Sequence, residues 1–142
     1  QVGNHIQMKN PFQPGDVKTY ATTVTPDKLA RFAEEGLVHE VCSTFALAAD
    51  AEWACRLFVL EMKEEGEEGV GAFVSVQHLA PAPLGSPVVI EARLEEVAGN
   101  RVECTYRAFS GERLIAEGRQ TQRIVPRAKF DALVDSLRPA TS

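Results

Sequence analysis

Residues 44–60 constrain the fold more than any other part of the chain. They are almost all Ala, Leu, Val, Phe, Trp and Cys, are charged only at Asp50, Glu52 and Arg56, and contain neither Gly nor Pro. Helix formers dominate and nothing interrupts them, so a helix is expected. Its apolar positions run nearly all the way round. A helix of that kind must be enclosed by other structure. The charged tail over 61–68, with Gly66 and then Gly69, ends it.

The rest of the chain supplies the enclosure. After Gly69 the apolar period changes from helical to two. Ala72, Val74, Val76 and His78 share one strand face, expected to look toward the helix. A Pro-rich linker over 81–87 follows. Val88, Ile90, Ala92 and Leu94 alternate with Val89, Glu91, Arg93 and Glu95. Gly99-Asn100 is a turn, and Val102, Cys104, Tyr106 and Ala108 form the next alternating face. Ser110-Gly111 is a second turn, leading into a long strand over 113–124. These are half-buried antiparallel strands joined by tight turns. Residues 16–24, rich in Thr, Val and Tyr, read as an earlier strand. Thr25-Pro26-Asp27 opens a short helix carrying Leu29, Phe32 and Ala33 and stopping near Gly36. A last amphipathic helix begins at Pro126, with Phe130, Leu133, Val134 and Leu137 on one side. The class is α+β: an antiparallel sheet wrapped around a long central helix, with short flanking helices. The expected organisation is a tail over 1–14 and a single domain over 15–142. One sheet covers one side of the helix, and a partner or the short helices must cover the rest.

Composition narrows the function. The 142 residues carry 15 Lys plus Arg against 20 Asp plus Glu, a net −5, with no basic block, so a nucleic-acid partner is not expected. No apolar run reaches the ~20 residues of a membrane-spanning helix, and no secretory signal is visible. The segment 1–7 reads as a processing or expression remnant ahead of Met8. Cys42, Cys55 and Cys104 are an odd number without CxxC spacing. That argues against a disulfide scaffold or zinc knuckle and fits a reducing cytoplasm. No His, with Cys or Asp, has metal-ligand spacing.

Five residues could carry chemistry. Glu52 sits mid-helix among Ala48, Ala49, Ala51, Trp53, Ala54 and Cys55. Burying an ionised carboxylate costs several kcal/mol unless it is paired. Glu52 is therefore either a working acid, base or nucleophile or the ion-pair partner of Arg56, four residues on. Asp50 cannot share its face and reads as solvated or at a subunit edge. His78 is either a hydrogen-bonded core histidine or a catalyst. Thr44 can cap the helix, or place a hydroxyl beside helix N–H groups where an oxyanion develops. It precedes Glu52 by ~12 Å along the axis and ~80° around it, so the two can bracket a substrate but not touch. Arg123 and Arg119 share a face of the last strand, as a solvated edge or as phosphate binders.

These residues resemble a pattern known from one family. Thr44, Glu52-Trp53-Ala54-Cys55, the glycine turn ending in Gly71, His78 and the Pro-rich linker ending in Gly85 follow the order and spacing of the fluoroacetyl-CoA thioesterase-like family of hotdog-fold thioesterases. The likeness is densest over 41–85 and continues more weakly through Gly118 and Arg123 to Phe130. It implies a hotdog homodimer, or a tetramer of such dimers, that hydrolyses an acyl-CoA thioester. It further implies Thr44, Glu52 and His78 as catalytic residues, Gly71 and Arg123 as substrate contacts, and no cofactor beyond the coenzyme A of the substrate. Where the fluoroacetyl-specific member has a phenylalanine-rich lid, this chain has Gly36-Leu37-Val38-His39. Val38 then lines the acyl site, and the expected substrate is a different small or medium acyl group. The rivals are a non-catalytic acyl-CoA binding protein, a structural dimer with Glu52 paired to Arg56, and a hydratase. The hydratase would need an Asp/His pair before the helix, which is not seen.

Overall fold

The structure is a computed structural model describing residues 6–140. Its centre is α1 (Thr44–Met62), started by Ser43, whose hydroxyl accepts from the Ala46 N–H at 2.9 Å. That bond satisfies one of the free donors of the first turn. Leu47, Ala51, Ala54, Cys55, Phe58, Val59 and Met62 are buried at helical spacing. Phe45, Trp53 and Leu60 remain exposed on another face. Phe58 is fully buried and meets Phe12 edge to face, with ring centroids 5.0 Å apart.

The sheet wraps this helix. Its strands are β1 (Val17–Thr23), β4 (Glu67–Val74), β5 (Gln77–His78), β6 (Pro87–Ala98), β7 (Arg101–Ser110) and β8 (Arg113–Pro126). All pair antiparallel in the order β1-β6-β7-β8-β4, with β5 also on β8. Val88, Ile90, Ala92 and Leu94 on β6, and Val102, Cys104, Tyr106 and Ala108 on β7, face the core as their alternation requires. The β6–β7 connection is the two-residue Gly99-Asn100 turn, with Gly99 at φ 59°. This is the hotdog arrangement. β4 is the last strand of the sheet order and leaves one edge unpaired.

Three expectations need correction. The segment after Thr25 is not a helix. A single 3-10 turn (Pro26–Lys28) leads into a hairpin of β2 (Leu29–Phe32) and β3 (Gly36–Cys42). The Thr25 hydroxyl donates to Asp27 instead of capping, and tertiary bonds decide the outcome: Ser43 N–H donates to Lys28 O and Cys42 N–H to Ala82 O, both at 2.8 Å. Next, Ala72 to His78 is not one continuous face. A bulge between Gly71 and Phe73 and a break before β5 leave Ala72, Phe73 and Val74 exposed. Finally, of the two readings of Asp50, solvated or at a subunit edge, the first does not hold. Asp50 pairs with Lys28 at 2.9 Å, both side chains mostly buried, and Lys28 also donates to Thr22 at 2.6 Å. The last helix forms as α2 (Arg127–Ser136), but no residue on it is buried.

The described part of the 1–14 tail lies on the domain. Ile6, Met8 and Phe12 pack against the core, and Lys9 N–H donates to Met62 O. The Gln7 N–H bonds the buried Glu67 carboxylate, which also accepts from Glu64 N–H at 2.9 Å. Residues 1–5, with His5, lie outside the described residues.

Candidate active site

The chemistry-bearing residues gather at two places along one side of α1. At its N-terminus, Ser43 takes the capping role, so the Thr44 hydroxyl is left over for another partner. It lies 2.9 Å from His78 Nδ1, donating to that nitrogen when it is unprotonated. The other ring nitrogen, Nε2, is buried and has no partner among the described residues. His78 is held by β5, which pairs with β8 at Ala116. The bend before it is clamped at Ser75: its carbonyl accepts from Tyr106 Oη at 2.6 Å, its hydroxyl from Arg119 N–H at 3.0 Å. Gly118 permits this, since a Cβ there would collide with the Ser75 carbonyl. The Thr44–His78 pair opens into a cavity of about 600 Å³ between the helix start and the β2–β3 hairpin, walled by Leu29, Phe32, Val38, Cys42 and Phe45. Burial pushes the Cys42 thiol up, so it is a wall residue and not a ready thiolate.

Two turns further along, Glu52 faces Gly71 on β4. A Cβ built on Gly71 would stand 2.9 Å from Glu52 Oε2 and 3.0 Å from Oε1 and Cδ. Only glycine lets the strand come this close to the carboxylate. Glu52 lines a concavity of about 420 Å³ with Phe45, Ala48, Ala49, Trp53, Arg56 and Val74. Arg56 shares this wall but turns away: its guanidinium bonds Glu68 at 2.5 Å and the Gly69 carbonyl at 2.9 Å. The hydrogen bond from Arg56 holds the Glu68 carboxyl below its usual range. Among the described residues no cation lies within ion-pair distance of Glu52. The ion-pair explanation of Glu52 therefore fails.

Residues 24–128 match the family described as fluoroacetyl-CoA-specific thioesterase. The chain belongs to that family. It is 30% identical to the fluoroacetyl-CoA thioesterase of Streptantibioticus cattleyicolor over 94% of this chain and 99% of that protein. Among solved structures, a hypothetical protein of Thermus thermophilus, described as a thioesterase superfamily member, superposes with a TM-score of 0.87. It shares 40% identity over 91% of this chain and 95% of that one. A fluoroacetyl-CoA thioesterase structure gives 0.85 at 28% identity, covering 90% and 98%. By family the chain is a thioester hydrolase of the hotdog class.

Of the site residues expected from sequence, the structure joins Thr44 to His78, with Val38 on their cavity wall, and Glu52 to Gly71. Arg123 does not join them within the protomer. It is exposed and donates to Asn100 Oδ1 at 3.1 Å. Its neighbour Gln122 points the other way, as successive strand residues must, and donates to the Glu52 carbonyl at 3.2 Å. Sequence reasoning passed over Gln122, although the alternation of β8 places it with Gln120 and Ile124 on the inner face. Of the two roles open to Thr44, capping is held by Ser43 instead. Among the described residues no three His, Cys, Asp or Glu side chains cluster as a metal site, and no helix is long and apolar enough to cross a membrane.

Proposed function

We propose that this chain hydrolyses the thioester of a small or medium acyl-CoA, with Thr44, Glu52 and His78 as its catalytic residues. One observation carries the reading: Glu52 keeps a carboxylate in a mostly apolar concavity, and among the described residues no cation pairs with it, because Arg56 in the same wall is engaged by Glu68 and Gly69. A carboxylate held in a concavity without an ion-pair partner is a candidate acid, base or nucleophile. The thioester carbonyl sits at the start of α1, where free N–H groups stabilise the developing oxyanion. The Thr44 hydroxyl, held by His78, orients the carbonyl or the attacking water. With the Glu52 carboxylate brought to that carbonyl from the second copy of the dimer described below, Glu52 either takes the water's proton or attacks the carbonyl to give a mixed anhydride that water then opens. The C–S bond breaks, the thiol leaves, and His78 handles the proton. A thiolate is a good leaving group, so no strong acid is needed. Gly71 contacts the substrate beside Glu52, Val38 packs on the acyl group, and Arg123 holds the charged coenzyme A portion.

The active unit is a homodimer. Phe45, Trp53 and Val74 leave an exposed apolar face around the Glu52 concavity, beside the unpaired edge of β4. A second copy seated there covers this face and completes a site whose two halves are separated along α1. Light scattering that gives a monomer at micromolar concentration would refute it. Three buried, unpaired cysteines fit the reducing cytoplasm as its location.

A hydrolysis screen across acyl-CoA chain lengths, run on wild type and Glu52→Gln, tests the function. Turnover by wild type that falls roughly 10²-fold in a folded Glu52→Gln protein is expected. Binding of the thioester without turnover by wild type would instead make the chain a non-catalytic acyl-CoA binding protein.

A further inference from the structure

The inner face of β8 holds two glutamines where a packed core would use apolar residues. Gln120 and Gln122 are each 1% exposed and lie against α1. Gln122 Nε2 donates to the Glu52 carbonyl at 3.2 Å and to Gln120 Oε1 at 3.0 Å, and Gln120 Nε2 donates to the Thr121 carbonyl at 3.1 Å. Gln122 Oε1 is buried with no partner among the described residues. An amide so placed destabilises the fold relative to an apolar side chain of similar size. Gln122 is also the register partner of Gly71, so both residues present the same face to the helix. One meets the Glu52 carboxylate and the other meets its backbone.

We propose that Gln122, buttressed by Gln120, is a positioning residue for Glu52. This rests on the catalytic reading of Glu52 given above. The Glu52 carbonyl lies in the middle of α1, so the Gln122 amide is a second donor, added from the sheet to a group the helix ladder already serves. The bond fixes the depth and rotation of that one turn against β4 and β8. The carboxylate then keeps its place over Gly71, and Gln120 keeps the Gln122 amide from rotating away. A purely packing role has no need of an amide here, and the unpartnered Oε1 is a cost that packing does not offset.

The test is Gln122→Met, with Gln122→Leu as a second variant should the first fold poorly, each compared with wild type for kcat, KM and thermal midpoint. Loss of about tenfold in kcat, the scale of a small displacement of a reacting group, is expected with KM within about twofold and an unchanged or higher midpoint. A folded variant with wild-type kcat, or a kcat that falls only with the folded fraction, overturns the assignment. The side-chain carboxyl carbon of Glu52, followed by NMR through a pH titration, decides the matter independently of turnover. Its shift and midpoint should move in Gln122→Met and Gln122→Leu while those of Glu61 and Glu64 stay. If they stay too, Gln122 does not position Glu52. Wild-type inactivity on every acyl-CoA would sink the catalytic reading but leave this spectroscopic result decisive.

Discussion

Replacing Gly71 by alanine separates catalysis from folding. The added Cβ would stand 2.9–3.0 Å from all three terminal atoms of the Glu52 carboxylate, whereas ordinary contact begins at 3.4 Å. The carboxylate must retreat by roughly half an ångström, given that carbon–carbon contacts settle at ~3.5–4.0 Å. What yields is the far end of a flexible side chain, so the fold loses little. Gly71 is not among the glycines at positive φ, so alanine brings no backbone strain. Reducing the freedom of the unfolded chain should even add about 0.4–1 kcal/mol of stability. A misplacement of ~1 Å costs on the order of 10²-fold in rate, and half of that should cost about tenfold. Gly71→Ala should therefore melt at or above the wild-type midpoint and release thiol from acyl-CoA about tenfold more slowly. Both are read on one preparation, by a thiol-reactive chromophore and a thermal scan. A stable Gly71→Ala protein with wild-type kcat would show that the position of the Glu52 carboxylate does not govern the reaction.

Other outcomes follow from the same geometry. Glu52→Gln should abolish most turnover while the thermal midpoint holds or rises, since no cation loses a partner; a drop in midpoint at full activity would restore a structural role. With Val38 in the hairpin wall of the cavity, kcat/KM for fluoroacetyl-CoA and acetyl-CoA should be of similar size, and a preference of several orders of magnitude would contradict that. Arg123→Ala should lower kcat/KM in a folded protein; wild-type kinetics would make it an ordinary surface arginine. Burial holds the Tyr106 phenol up at about 12, above its ordinary 10.0. Its contribution to stability is complete below pH 10 and is lost as pH rises through about 12, so urea midpoints should fall over that window and fall less steeply in Tyr106→Phe.

The parts of the fold that were legible in sequence are those set by local pattern. α1 showed itself because nothing between Thr44 and Leu60 breaks a helix, and β6 and β7 because their apolar residues alternate without interruption. The β2–β3 hairpin was hidden because Leu29 and Phe32 sit at helical spacing, while what fixes them is remote. Leu29 pairs with Cys42, and Val41 bridges to Pro83, across stretches no local window spans. At the site, Glu52 was conspicuous as a charge in an apolar helix, and Thr44 and His78 were linked only through resemblance. Gln122 was overlooked for a different reason: a polar residue in a strand is taken as outward-facing, although its alternation with Ile124 places it on the inner face against the helix.

The fate of the two charges on α1 follows from a match between helix and strand spacing. Glu52 and Arg56 are four residues apart, ~6 Å along a helix, and two strand residues span ~6.6 Å. Gly69 and Gly71, two apart on β4, therefore sit opposite the two charges in turn. At Gly69 the missing side chain admits Val59 and Arg56, whose Nη1 lies 3.2 Å from where a Cβ would be, and the guanidinium reaches the Gly69 carbonyl and Glu68. At Gly71 the missing side chain admits the Glu52 carboxylate, but the strand offers it no cation. An i, i+4 pair that would close in an isolated helix is thus held open by the strand laid across it. Arg56 is spent on fastening β4 to the helix, and that fastening keeps Gly71 pressed over a carboxylate that remains available for chemistry.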